Sequence, residues 1–250
     1  MNRIAQLSGL VAMLVLASAT WAGGISCSAV GDTVAGERDH LVLAYGIVAT
    51  TSDTARTLRT LRQTVLQQYM DSVGLKSDTL VPVRCDQMLD IAGLTTSDVQ
   101  YMDNSRVAVA IWRSSDGKKA FASHAAIPRL IKATPPMYPD LEVSSIDASD
   151  GPNTADGWVA FAIKDKLALQ GMLGLGLGMR LLDLDPPVAK LLLCKSRNDF
   201  KLASDLIVQP PLTSLLADIS QLIDKADRQI SVGRLGDDLK QRIRAACSLG

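Results

Sequence analysis

Apolar and polar positions along the chain alternate in two distinct ways. Residues 41–48, Leu-Val-Leu-Ala-Tyr-Gly-Ile-Val, form an unbroken apolar run. A run of this length suits a strand covered on both faces of a sheet. From residue 54 the period changes. Leu58, Leu61, Val65, Tyr69 and Val73 recur every three or four positions, which predicts an amphipathic helix over 54–73 ending at Gly74. Residues 79–84 predict a second strand running into Cys85, and 96–103 a short polar helix. Residues 106–112, Arg-Val-Ala-Val-Ala-Ile-Trp, predict a strand that the Asp116-Gly117 turn sends back as 119–127.

The second half reads differently. Residues 132–157 lose sustained periodicity and carry Pro135, Pro136, Pro139, Gly151, Pro152 and Gly157. That composition predicts a linker. Beyond it, 158–183 is apolar and helical, Asp185-Pro186 breaks the chain, and a helix with Pro187 in its first turn runs to about 200. After Pro210-Pro211, the positions Leu212, Leu215, Leu216, Ile219, Leu222, Ile223, Ala226 and Ile230 trace one apolar face. A last helix over 237–248 gathers Leu239, Ile243, Ala246 and Cys247 on one side. The expected class is α+β or α/β: a small α/β sheet domain over 28–130, a linker over 131–157 and an all-helical domain over 158–250.

The amino terminus has a separate logic. Met1-Asn2-Arg3 precedes an apolar core centred on Leu10–Leu16, followed by Ala17-Ser18-Ala19 and Ala22. A basic start, a short apolar core and small residues are the parts of a secretory signal over 1–22, cut after Ala19 or Ala22. The core is shorter than the roughly 20 residues a bilayer requires. The expected location is therefore exported, periplasmic or secreted, with no transmembrane segment in the mature chain. Cys27 offers a rival, a lipid-bearing amino terminus, although Gly24-Ile25-Ser26 lacks the larger aliphatic residue usual three positions before such a cysteine.

Export changes what the cysteines mean. Cys27, Cys85, Cys194 and Cys247 all lie beyond the signal, and an even count in an oxidising compartment predicts disulfides. Four cysteines allow three pairings. Two in each half favours Cys27–Cys85 and Cys194–Cys247. Their wide spacing excludes a C-x-x-C redox or zinc signature.

Two family resemblances follow from these elements. Residues 41–130, with the strand Leu41–Val48, the helix Ala55–Val73 and the strand through Val81–Arg84, resemble the amino-terminal α/β domain of the TolB family. That resemblance implies a role in protein assembly at the cell envelope. Residues 167–200 resemble one tetratricopeptide helical hairpin, with Ala189 as the small residue of the second helix and Asp185-Pro186 as the turn. The closing proline after Phe200 is missing, and the pattern does not recur 34 residues on, at Ile223.

Charge and candidate chemistry narrow the function further. With 26 basic and 26 acidic side chains there is no net pull toward nucleic acid. Gly171, Gly174, Gly176 and Gly178 do not fit G-x-G-x-x-G, so they predict close helix packing instead of a phosphate loop. Only His40 and His124 are available as general bases, and neither lies in a G-x-S-x-G or H-E-x-x-H context. Asp147, Asp150 and Asp156 lack calcium-loop spacing. No catalytic residue, metal ligand or cofactor site is assigned. Arg56, Arg59 and Arg62, on the face of the first helix opposite its apolar stripe, are the candidate contact surface for an acidic partner. The expected function is a non-enzymatic interaction or envelope-assembly protein whose partner is another envelope protein. The alternatives are a hydrolase working through His124 and an envelope-anchored lipoprotein component.

Overall fold

A computed structural model describes residues 41–47, 68–75, 80–85, 100, 102–103, 106–114, 119–131, 141–147, 155–230 and 235–248. Its strands are β1 (Leu41–Ile47), β2 (Leu80–Cys85), β3 (Val107–Ser114), β4 (Lys119–Ala126), β5 (Leu141–Asp147) and β6 (Ile207–Gln209). Its helices are α1 (Pro128–Ile131), α2 (Ala155–Leu181), α3 (Pro186–Leu202), α4 (Leu212–Gln229) and α5 (Asp237–Ser248).

The strands form one sheet in the order β2-β1-β3-β4-β5-β6. The apolar run of β1 lies between β2 and β3 and is parallel to both. Pro82, which cannot donate to a ladder, is on β2 at the sheet edge, where a missing donor is tolerated. β3 and β4 make the antiparallel hairpin that Asp116-Gly117 predicts, with Arg113 opposite Ser123 and Ile111 opposite Ala125. The β1–β3 register slips between Val42 and Leu43, from Val107 to Val109, leaving Ala108 as the extra residue of a bulge.

Two expectations change here. Residues 141–147, inside the stretch read as a linker, form β5 and pair with β4 and β6. The carboxy-terminal part is not wholly helical, because Ile207–Gln209 adds the sixth strand before Pro210-Pro211. The polar, proline-bounded character of 131–157 concealed a strand whose alternation is short and weak, Leu-Glu-Val-Ser-Ser-Ile-Asp. The sheet and the helices also share one buried cluster, in which Tyr69, Val109 and Ala125 join Leu192, Phe200 and Ile219. Residues 131–157 therefore do not divide two separate cores.

α2 is the axis of that core. Its residues Ala168 to Arg180 are buried without interruption, as befits a helix apolar on all sides. The four glycines let neighbours approach it from several directions. A Cβ on Gly171 would lie 2.9 Å from the Phe200 ring, and one on Gly178 would lie 2.8 Å from Leu193. At Gly174 it would meet the Tyr69 hydroxyl at 2.6 Å and the Leu192 carbonyl oxygen at 2.9 Å. On the sheet side, at Gly176, it would meet the carbonyl oxygen of the bulge residue Ala108 at 2.7 Å. The glycines are packing devices, as their spacing predicts.

Local signals set the remaining ends. Asp185 caps α3, its carboxylate accepting from the Val188 amide at 3.2 Å, with prolines in the first turn. α4 buries Leu215, Ile219, Leu222, Ile223 and Ala226, the face its period predicts. The helical residues 68–73 end at Gly74, whose φ is +60°. There the Gly74 amide bonds Asp71 and the Leu75 amide bonds Met70, both at 3.1 Å, which is the Schellman pattern. Buried Arg180, near the end of α2, donates to the Asp103 carboxylate and, at 2.5 Å, to its carbonyl oxygen.

Candidate functional site

Three segments converge on one cleft. Residues 68–75 contribute Ser72 and Val73, α3 contributes Leu191, Lys195, Asn198, Asp199 and Leu202, and α5 contributes Arg242, Ala245 and Ala246. The cleft holds about 440 Å³, within the range of small-ligand sites.

Its walls are held by covalent and polar links. Cys194 and Cys247 form a disulfide between α3 and α5, with 5.0 Å between their Cα atoms. Next to it, the Asn198 amide donates to the Ala246 carbonyl oxygen at 2.6 Å, and Arg197 donates to that of Cys247 at 3.4 Å. Across the cleft Arg242 donates to the Val73 carbonyl oxygen, and its guanidinium lies 3.7 Å from the exposed Asp238 carboxylate. Ser72 donates to the Tyr69 carbonyl oxygen at 2.8 Å.

Burial gives the floor unusual electrostatics. Asp199 is buried beside Lys195, whose Nζ lies 3.4 Å from its carboxylate, one helical turn away. Desolvation outweighs that attraction and raises the Asp199 pKa to about 6. Tyr69, under the Lys195 ammonium at 5.8 Å, is pushed well above the usual tyrosine value by burial and then by the charge of Asp199. Three oxygens here lack a hydrogen-bond partner: the Tyr69 hydroxyl, Asn198 Oδ1 and Asp199 Oδ2.

Because the folded state holds the Asp199 proton more tightly than the unfolded chain, its neutral form favours folding at low pH. That contribution is lost as pH rises from about 4 through about 6. Two pKa units correspond to about 3 kcal/mol as an upper figure. Asp199→Asn, which fixes a neutral side chain, is therefore expected to stabilise the protein by about 2 kcal/mol near pH 8 and by little near pH 4. Urea midpoints of both proteins at the two pH values check this; an equal difference at both would show that the Asp199 charge is not responsible.

The chain matches no protein family, and no curated protein or solved structure is similar to it.

The residues that sequence singled out fare unevenly. Cys194 and Cys247 are joined as expected and frame the cleft. Arg56, Arg59 and Arg62, with His40 and Cys27, lie outside the described residues. Cys85 closes β2. His124 is on β4, opposite Trp112 on β3 and Glu142 on β5, away from the residues lining the cleft. Lys195, Asn198, Asp199 and Arg242 were not anticipated, because charges at helical spacing read as a solvated face. Their signal was adjacency: Lys195 follows Cys194, so a disulfide to α5 brings the second helix over that polar stretch. Among the described residues no histidine, cysteine and carboxylate group is placed to hold a metal, and no helix is long and apolar enough to cross a membrane.

Proposed function

We propose that this chain is an exported, non-enzymatic interaction protein of the cell envelope, and that it engages another envelope protein at the cleft between α3 and α5. The observation that carries the reading is a cleft whose two helical walls are tied by a disulfide, a cross-link that persists in oxidising compartments. Covalent fixing of both walls suits a preformed recognition site. Leu202 stands at the rim with 64% of its surface exposed, an apolar contact available to a partner. The lining includes no histidine or thiol, and Ser72, its one hydroxyl, is spent on a backbone oxygen, so binding fits it better than hydrolysis.

A photoreactive amino acid placed at position 202 tests this in cells that export the chain. The expected result is one discrete cross-linked species, absent when the probe is placed at the exposed Ala217 of α4. The same smear of products from both positions, or none from either, would overturn the reading.

A further inference from the structure

α5 is tied to a core that does not include it. The buried cluster shared by the sheet and the helices contains no residue of 237–248, and only Ala246 and Cys247 pack against it. Of the twelve residues of α5, Ile243 alone is buried. Among the described residues its hydrogen bonds to neighbouring elements are those from Asn198 to Ala246, from Arg197 to Cys247 and from Arg242 to Val73. Its ion pairs, Lys240 with Asp237 and Arg242 with Asp238, are internal and stabilise no contact with the core. A helix of this length does not persist alone in water. The strong tie is the Cys194–Cys247 bond.

The two cysteines are also unequally placed. Cys194 is completely buried in the middle of α3, whereas Cys247 is partly buried in the last turn of α5. An incoming thiolate therefore meets the bond from the Cys247 side. We propose that this disulfide is a redox latch: a dithiol opens it in the folded protein and α5 leaves, while the sheet and α2, α3 and α4 stay folded. The first thiolate attacks Cys247 Sγ, the S–S bond breaks, and its electron pair stays on Cys194 Sγ, which takes up a proton. A mixed disulfide on Cys247 results. The second thiolate of the dithiol then attacks the first sulfur, closing the dithiol's own disulfide and releasing Cys247, which is protonated in turn. Two electrons and two protons pass to the chain. Arg242, Ala245 and Ala246 depart with α5, so Val73, Leu191 and Leu202 lose the opposing wall of the cleft. That consequence rests on the interaction reading above, and it makes recognition conditional on oxidation.

The test is the rate at which dithiothreitol reduces Cys194–Cys247 in the oxidised full-length mature chain, read by alkylation and peptide mapping. The rate is expected to rise in proportion to dithiothreitol and to change less than about two-fold per molar urea below the unfolding transition. A bond reached only through global unfolding would be reduced at least about five-fold faster per molar urea, and that result would overturn the latch. In the reduced chain, amides of 237–248 should exchange within about ten-fold of an unstructured peptide, while those of Leu192, Leu193 and Ile219 stay at least about 100-fold slower. Cys194→Ala with Cys247→Ala should reproduce that pattern without reductant, which assigns it to this bond. Retained protection in α5, or loss of protection in α3 and α4 along with it, would equally overturn the proposal. Cross-linking from position 202 should vanish in the double-alanine chain. Its persistence there would remove the gating and leave the interaction reading standing, whereas its absence from the disulfide-bonded chain would remove the interaction reading and leave the latch.

Discussion

Replacing Cys194 and Cys247 together with alanine is expected to lower stability by about 4 kcal/mol. The two cysteines are 53 positions apart, and closing a loop of that size restricts the unfolded chain by about that amount. The loss should also be visible locally. α5 has twelve residues, too few to hold a helix alone in water, and only Ile243 among them is buried. Without the disulfide it is left with Ile243, the partly buried Ala246, and the bonds to Asn198, Arg197 and Val73. Amide exchange across 237–248 should therefore accelerate ahead of the rest of the protein. Unchanged protection there, together with an unchanged melt, would show that packing alone keeps α5 in place. Removing both cysteines leaves neither Cys194 nor Cys247 as a free thiol that could pair elsewhere, so the comparison stays interpretable.

The second large effect sits at the centre of α2. Gly176→Ala gains about 1 kcal/mol of helix propensity. It also drives a methyl against the Ala108 carbonyl oxygen at 2.7 Å and against Val109 Cβ at 2.8 Å. Neither neighbour can rotate away, because both belong to the strand itself, and overpacking of this kind costs about 1–3 kcal/mol. The expected net is a loss of up to about 2 kcal/mol for alanine and of about 3 kcal/mol for valine, which adds more volume and gains less helix propensity. Gly236 provides the control, since a Cβ there meets nothing within 4 Å. Gly236→Ala should cost no more than about 1 kcal/mol, from loss of a glycine N-cap on α5 and not from overpacking. Urea midpoints at constant slope report these differences. Full stability in Gly176→Ala would mean that the helix and sheet slide apart without penalty.

The contrast between these two sites explains what the sequence disclosed. Periodicity made α4 and α5 legible, continuous apolar runs did the same for β1, β3 and α2, and turn or breaker residues placed β4 and α3. Strand β5 was missed since Glu142, Ser144 and Ser145 dilute its pattern, and β6 because three residues have no measurable period. The glycines were legible as packing positions, but not which neighbour each one meets. Gly176 facing the sheet while Gly174 and Gly178 face α3 depends on the bulge at Ala108, a product of strand register. The cleft was least legible. Lys195 and Asp199 are an ordinary i,i+4 pair on paper, and only the burial imposed by residues 68–75 and α5 turns that pair into a perturbed one.

Strand β6 has a bearing on how the molecule can be made. It is supplied from beyond α3, yet it covers the outer side of β5 through Val143–Ile207 and Glu142–Gln209. During vectorial synthesis β5 emerges more than fifty residues before its cover, and until then its backbone donors and acceptors form an open edge able to recruit other chains. α2, with its long buried stretch, is equally without a roof until α3 has emerged. The nascent amino-terminal half is thus a sticky intermediate, best kept extended and escorted until residue 209 is free. Premature stops between α2 and β6 should yield insoluble product, where loss of α5 alone should yield a soluble, weakened one.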